Sequence, residues 1–124
     1  MDKDLASRHC VPCEGGTPPL GREAAERLRL QTPDWVFEED GKAVRRQFKL
    51  KDFKDAIAFV NAVAEVAEAE DHHPDIFIRY KQVTFTLSTH AIGGLSENDF
   101  ILAAKIDRLY QERYAGASPA PASA

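Results

Sequence analysis

Two pairs of strand-like segments, each pair joined by a tight turn, constrain the fold of this chain more than any other feature. The first pair begins at residues 35–37, turns at residues 39–42 with an Asp-Gly hairpin signal, and returns over residues 43–50. In the second pair, residues 76–80 and 83–88 each alternate side chains between two faces. Strands joined by so short a turn pair antiparallel, so both pairs predict antiparallel sheet.

Three helical segments flank and separate these strand pairs. Residues 20–30 are rich in good helix formers, and Ser96, with Asp99 three residues later, is a helix start signal for residues 97 to 110 or 114. Residues 51–69 carry apolar side chains at three- and four-residue steps, and Pro74 prevents this helix from continuing. We predict that its buried face comprises Phe53, Ile57, Val60, Ala64 and Ala67, with Ala56 and Val63 beside them.

The order helix, two strands, helix, two strands, helix predicts an α+β fold. It should form one four-stranded antiparallel sheet with three helices packed on one face. We expect residues 1–19 to be an irregular leader, 20–114 the folded domain, and 115–124, all Ala, Gly, Ser and Pro, a disordered tail. A four-stranded sheet has two open edges, which predicts a homodimer or homotetramer.

Charge and composition restrict the class of function. The chain of 124 residues has a net charge of −4, which disfavours direct nucleic-acid binding. Its basic run over residues 45–54 is interrupted by acidic residues and predicts a solvated face. The apolar runs are too short to cross a membrane and the N-terminus lacks a signal-peptide pattern, so we expect a cytoplasmic protein.

Cys10 and Cys13 form a Cys-x-x-Cys pair in the proline- and glycine-rich leader. A zinc site needs about four ligands, and no second cysteine pair completes one. We therefore interpret them as a reduced, partly buried pair in a turn.

Histidines carry the chemical signal. His72 and His73 lie where the long helix gives way to a strand, and His90 ends the last strand. Imidazole can give and take protons near neutral pH, and Glu68, one helical turn before His72, can orient an imidazole. Two alternatives remain open, because His-His-Pro can cap a helix C-terminus and three histidines can hold zinc. The spacing does not separate them.

Seven spaced positions resemble the signature of the pterin-4a-carbinolamine dehydratases. They are Glu68, His72, His73, Pro74, Tyr80, His90 and Asp99. The leader around the Cys-x-x-Cys pair is also similar to that of many bacterial and plant members. The resemblance covers roughly residues 5 to 110 and is more specific than a single short motif.

The resemblance implies a lyase that converts 4a-hydroxytetrahydropterin, the 4a-carbinolamine left by aromatic amino-acid hydroxylation, to quinonoid dihydropterin and water. It implies no metal and no cofactor. Some relatives of this fold instead act as Rubisco assembly factors or as partners of a transcription factor. A protein partner, Rubisco or a hydroxylase, is therefore the alternative expectation, with no membrane role.

The resemblance also assigns residue roles. His72 and His90 match the acid/base histidines and His73 the third histidine, which contacts substrate. The acidic site positions are Glu68 and Asp99, and the substrate-binding positions are Ser88, Thr89 and Tyr80.

Two positions qualify these assignments. The spacing of Asp99 from Ser96 favours helix capping over direct proton transfer. Ile76 occupies a position where many members have Trp, which predicts a loss of stacking of about 0.5–1.5 kcal/mol.

Overall fold

The computed structural model describes residues 5–11 and 18–114 and confirms the predicted α+β fold. The regular elements in this part of the chain are α1 (Arg22–Arg29), β1 (Val36–Glu38), β2 (Ala43–Lys49), α2 (Phe53–Glu70), β3 (Asp75–Arg79), β4 (Gln82–Leu87) and α3 (Glu97–Arg113). Short 3-10 turns lie at Leu5–Ser7, Glu39–Gly41 and His90–Ile92. The predicted tail and Cys13 lie outside the described residues.

The four strands form one antiparallel sheet in the order β1-β2-β4-β3. The register places Val44 opposite Leu87, and Phe48 opposite Val83, so these four buried side chains share the face toward the helices. The edge strands are β1 and β3. Every residue of β3 is exposed, and among residues 5–11 and 18–114 only β4 pairs with it, so this edge is open within the described part of the chain.

The buried face of α2 is rotated from the predicted one. Ala56, Phe59, Val63 and Ala67 are buried, whereas Phe53 is half exposed. Phe59 sets this rotation, since its ring packs edge-on against both Phe48 and Phe85 of the sheet, at centroid distances of 5.1 and 5.7 Å. The prediction that Phe53 belongs to the core was wrong, because helix periodicity alone does not show which large side chain meets the sheet.

The N-terminal residues extend the domain beyond its predicted boundary. Leu5 and Ala6 are buried within the same hydrophobic core as the sheet and α3. The Lys105 ammonium of α3 donates to the Ala6 carbonyl at 2.9 Å. The described part of the predicted leader is thus integrated in the fold, although its sequence has no periodic pattern.

The predicted solvated basic face also has one exception. Arg46 lies on the helix-facing side of β2, where its guanidinium stacks over Phe48 at 4.2 Å and donates to Asp107 at 2.7 Å. The Trp35 indole donates to the same carboxylate at 2.8 Å. Burial raises the pKa of Asp107 above its usual value, although these two donors oppose the shift. Arg46 therefore connects the sheet to α3.

Candidate active site

A cavity of about 540 Å³ lies between the end of α2, the end of β4 and the start of α3. Its volume is within the range of small-molecule sites. The predicted site residues that line it are His72, His73, Ser88, Thr89 and His90. The fold therefore brings together histidines from the α2–β3 connection and the β4–α3 connection.

The end of α2 determines where the first two histidines point. Asp71 has left-handed backbone geometry, with φ at 54°, and the N–H of His72 donates back to the Ala67 carbonyl at 3.1 Å. The helix therefore stops before His72. As a result Glu68 contacts His73 rather than His72, with its Oε2 2.6 Å from Nε2 of His73. Both side chains of this pair are exposed.

His72 instead contacts Asp99. Its Nε2 lies 2.6 Å from Oδ1 of Asp99, and the side chains are 11% and 0% exposed. The second oxygen, Oδ2, accepts from the Thr89 hydroxyl at 2.8 Å and the Ser96 N–H at 2.9 Å. The predicted capping box is present, and the same carboxylate binds the histidine through its other oxygen. The structure thus adds a histidine contact to the predicted capping role.

The hydrogen-bond network assigns the proton positions around Asp99. Since the Thr89 hydroxyl donates to Asp99, the Ser96 hydroxyl donates to Thr89, 2.8 Å away. Asp99 then accepts from three donors, which compensate the burial of its carboxylate. Because an ionised carboxylate only accepts, Nε2 of His72 carries the proton in this pair, and in a neutral imidazole the lone pair is then on Nδ1.

His90 is exposed at the start of its 3-10 turn. This loop is closed by the N–H of Thr89, which donates to the Gly94 carbonyl at 2.8 Å. That N–H is therefore occupied within the loop. The close approach of Pro19 requires Gly94, because a Cβ there would lie 2.8 Å from the Pro19 Cβ.

Of the predicted substrate-binding positions, Ser88 lies at the cavity and Tyr80 does not. Ser88 lines the cavity, while its hydroxyl donates to the Lys42 carbonyl at 2.9 Å. Tyr80 is exposed at the turn between β3 and β4 and does not line the cavity. The role of Tyr80 stays a prediction from the resemblance, and Ile76, the replacement for Trp, does not line the cavity either.

Sequence reasoning missed seven residues of the cavity lining, namely Cys10, Val11, Ala69, Glu70, Asp71, Ala91 and Asn98. Cys10 is a free, partly buried thiol, whereas Cys13, the other member of the predicted pair, lies outside the described residues. Burial, followed by the negative charge of Glu70, raises the pKa of that thiol to about 12. The resemblance of the leader was the one signal that pointed here, and it did not predict a contact.

Two further features are absent from residues 5–11 and 18–114. Within these ranges, no group of three or more His, Cys, Asp or Glu side chains is arranged to hold a metal ion. None of the helices described there combines the length and apolar character that a membrane span needs.

The sequence profile described as "Pterin 4 alpha carbinolamine dehydratase" matches residues 18–109. The chain belongs to this family. A relative from Halorhodospira halophila (strain DSM 244 / SL1), named "Putative pterin-4-alpha-carbinolamine dehydratase", is 51% identical over 105 residues, which are 85% of this chain and 96% of that protein. This pterin dehydratase homologue therefore matches its relatives over nearly their full length.

Solved structures agree with this assignment. The "transcriptional coactivator/pterin dehydratase from Brucella Melitensis" is 33% identical, with a TM-score of 0.70 over 73% of this chain and 97% of that one. A "pterin dehydratase-like protein" described as "a RuBisCO assembly factor in the alpha-carboxysome" is 23% identical, with a TM-score of 0.54 over 61% of this chain and 88% of that one. The second likeness shows the fold alone.

Proposed function

We propose that this protein converts 4a-hydroxytetrahydropterin to quinonoid dihydropterin and water, with His72 and His90 as the acid/base pair. The observation that supports it most is the juxtaposition, in one cavity, of His72 bound to a buried carboxylate and His90 exposed at the rim. Family membership supports the reaction class.

The chemistry requires two proton transfers. Hydroxide is a poor leaving group, so the 4a-oxygen takes a proton as its bond to carbon breaks and departs as water. A ring nitrogen loses a proton as the new carbon–nitrogen double bond forms. In this proposal the Nδ1 lone pair of His72 accepts the nitrogen proton and His90 supplies the oxygen proton. Each such group typically contributes about 10²- to 10⁴-fold.

His73 has a different role in this proposal. Its pair with Glu68 is exposed, so it adds little to stability. At the cavity rim, an oriented imidazole can donate to a polar edge of the pterin. We therefore expect His73→Ala to raise KM more than it lowers kcat.

Dehydratase activity is the direct test. Purified protein should accelerate dehydration of synthetic 4a-hydroxytetrahydropterin at neutral pH, measured by the absorbance change against the spontaneous reaction. Activity should survive chelators, and elemental analysis should find no stoichiometric metal. A rate equal to that in buffer would refute the proposal, and zinc bound by the three histidines would refute the metal-free mechanism.

We further propose a cytoplasmic homodimer or homotetramer that uses the open edge of β3. Among the described residues only β4 pairs with this strand, and the strand exposes apolar side chains, with Phe77 63% exposed. Light scattering at micromolar concentration should show an oligomer. Phe77→Lys should shift it toward monomer, whereas Lys54→Glu, on exposed α2 surface, should not. A monomeric wild-type protein would overturn the oligomer.

The alternative is a non-catalytic assembly or interaction protein, with Rubisco or a hydroxylase as partner. The fold is compatible with this alternative, because a protein of similar fold is described as a RuBisCO assembly factor. Co-purification of Rubisco with a chain that lacks dehydratase activity would favour this alternative.

A further inference from the structure

Residues 8–11 lie beside the cavity and are held by the last residue of α2, Glu70. One carboxylate oxygen of Glu70 accepts from the Cys10 N–H at 2.7 Å, and the other lies 2.8 Å from Nδ1 of His9. The Lys105 ammonium is 3.6 Å from the second oxygen. The Glu70 side chain is only 7% exposed, so three polar partners compensate its burial.

Asn98, at the start of α3, holds the same residues from the other side. Its amide oxygen accepts from the Val11 N–H at 3.0 Å, and its amide nitrogen donates to the Val11 carbonyl. One side chain thus satisfies both backbone polar groups of Val11, as a neighbouring strand would. The Cys10 thiol donates to the Asn98 carbonyl at 3.6 Å.

The electrostatics favour this arrangement. Burial alone would raise the pKa of Glu70, but the hydrogen bonds from Cys10 and His9 and the charge of Lys105 outweigh it and hold the pKa below its usual value. Glu70 is therefore a charged, strong acceptor at neutral pH. The Cys10 thiol stays protonated, so it presents an uncharged surface to the cavity.

We propose that Glu70 and Asn98 are positioning residues that hold Cys10 and Val11 as one wall of the pterin cavity. The inference rests on the proposed function. Both Cys10 and Val11 line the cavity, and Val11 is 65% exposed, so it offers apolar surface that a flat ring can cover. Glu70 precedes His72 by two residues and Asn98 adjoins Asp99, so the wall is fixed to both sides of the His72–Asp99 pair.

Point variants in the full-length chain test whether Glu70 and Asn98 position Cys10 and Val11. Truncation is unsuitable, because it would remove the core residue Leu5. Glu70→Ala and Asn98→Ala should each raise KM by about tenfold, with kcat within about twofold, because substrate binding is lost rather than proton transfer. Hydrogen exchange of the Cys10 and Val11 amides should accelerate in the same variants. Glu70→Gln, which keeps an acceptor, should give an intermediate KM. Glu65→Ala on exposed α2 surface is the matched control.

Val11→Ser provides a test that leaves both positioning residues intact. It removes apolar surface at an exposed position and should raise KM by about fivefold without changing the melting temperature. Faster amide exchange with an unchanged KM would show that residues 8–11 are not a wall of the site. Unchanged exchange in the Glu70→Ala, Asn98→Ala double variant would show that these residues do not position the segment. Either result leaves the dehydratase proposal intact when the wild type is active, whereas an inactive wild type that binds no pterin overturns both.

Discussion

Replacing His72 or His90 by Ala should lower turnover by about 10- to 10⁴-fold each, with the double variant slower than either. Each change removes one of the two groups proposed to transfer protons. The stability effects should differ, since His90 is exposed whereas His72 donates to buried Asp99. Loss of that donor should cost about 1–3 kcal/mol of unfolding free energy for His72→Ala, and His90→Ala should cost almost nothing. Steady-state kinetics and thermal melting of the same preparations measure both quantities.

His72→Gln separates proton transfer from structure. The glutamine amide can still donate to Asp99 but cannot take up a proton near neutral pH, so stability should recover while turnover stays low. Lys54→Ala, at an exposed position of α2, is the control for effects of purification on activity and stability. If the double His72→Ala, His90→Ala variant turns over like wild type per folded molecule and melts much earlier, these histidines are structural and the proposed mechanism is wrong.

The second large effect should come from Asp99→Asn, which keeps the shape of the side chain and alters the proton on His72. The Thr89 hydroxyl and the Ser96 N–H both point at one oxygen of Asp99. The asparagine carbonyl oxygen should accept these two hydrogen bonds, and the side-chain NH₂ group should then face His72. Nε2 must then accept, which moves the imidazole proton to Nδ1 and removes the Nδ1 lone pair that serves as the base in the proposed mechanism. We expect kcat to fall by about 10²- to 10⁴-fold.

Nitrogen NMR of the His72 ring measures this tautomer directly, and thermal melting checks that the fold is kept. Asp99→Ala is the contrasting variant, because it leaves three hydrogen-bond donors without their acceptor at a fully buried position. It should lower the unfolding free energy by about 3 kcal/mol or more. Wild-type kcat in Asp99→Asn with an inverted tautomer would exclude His72 as the base.

Local patterns in the sequence predict most of the fold. Strand alternation, the turn signals and Pro74 depend on neighbours within a few residues, which is why the predicted elements match the observed ones closely. The capping box at Ser96 is local in the same sense. The rotation of α2 does not follow from a local pattern. Phe59 rather than Phe53 contacts the sheet, and it does so by packing against residues that are remote in the chain.

By itself, the sequence determined the α+β order, because periodicity and turn signals are written along the chain. The candidate histidines and acidic residues were indicated by the resemblance of their spacing to a family signature. Only the tertiary structure decided which acid holds which histidine. Asp99 lies 27 residues beyond His72, and the left-handed turn at Asp71 directs Glu68 to His73. The contact of Arg46 with Asp107 and the hydrogen bonds that hold Cys10 and Val11 likewise join segments that are 60 or more residues apart. Such contacts depend on how the elements pack in space, and no local pattern encodes that packing.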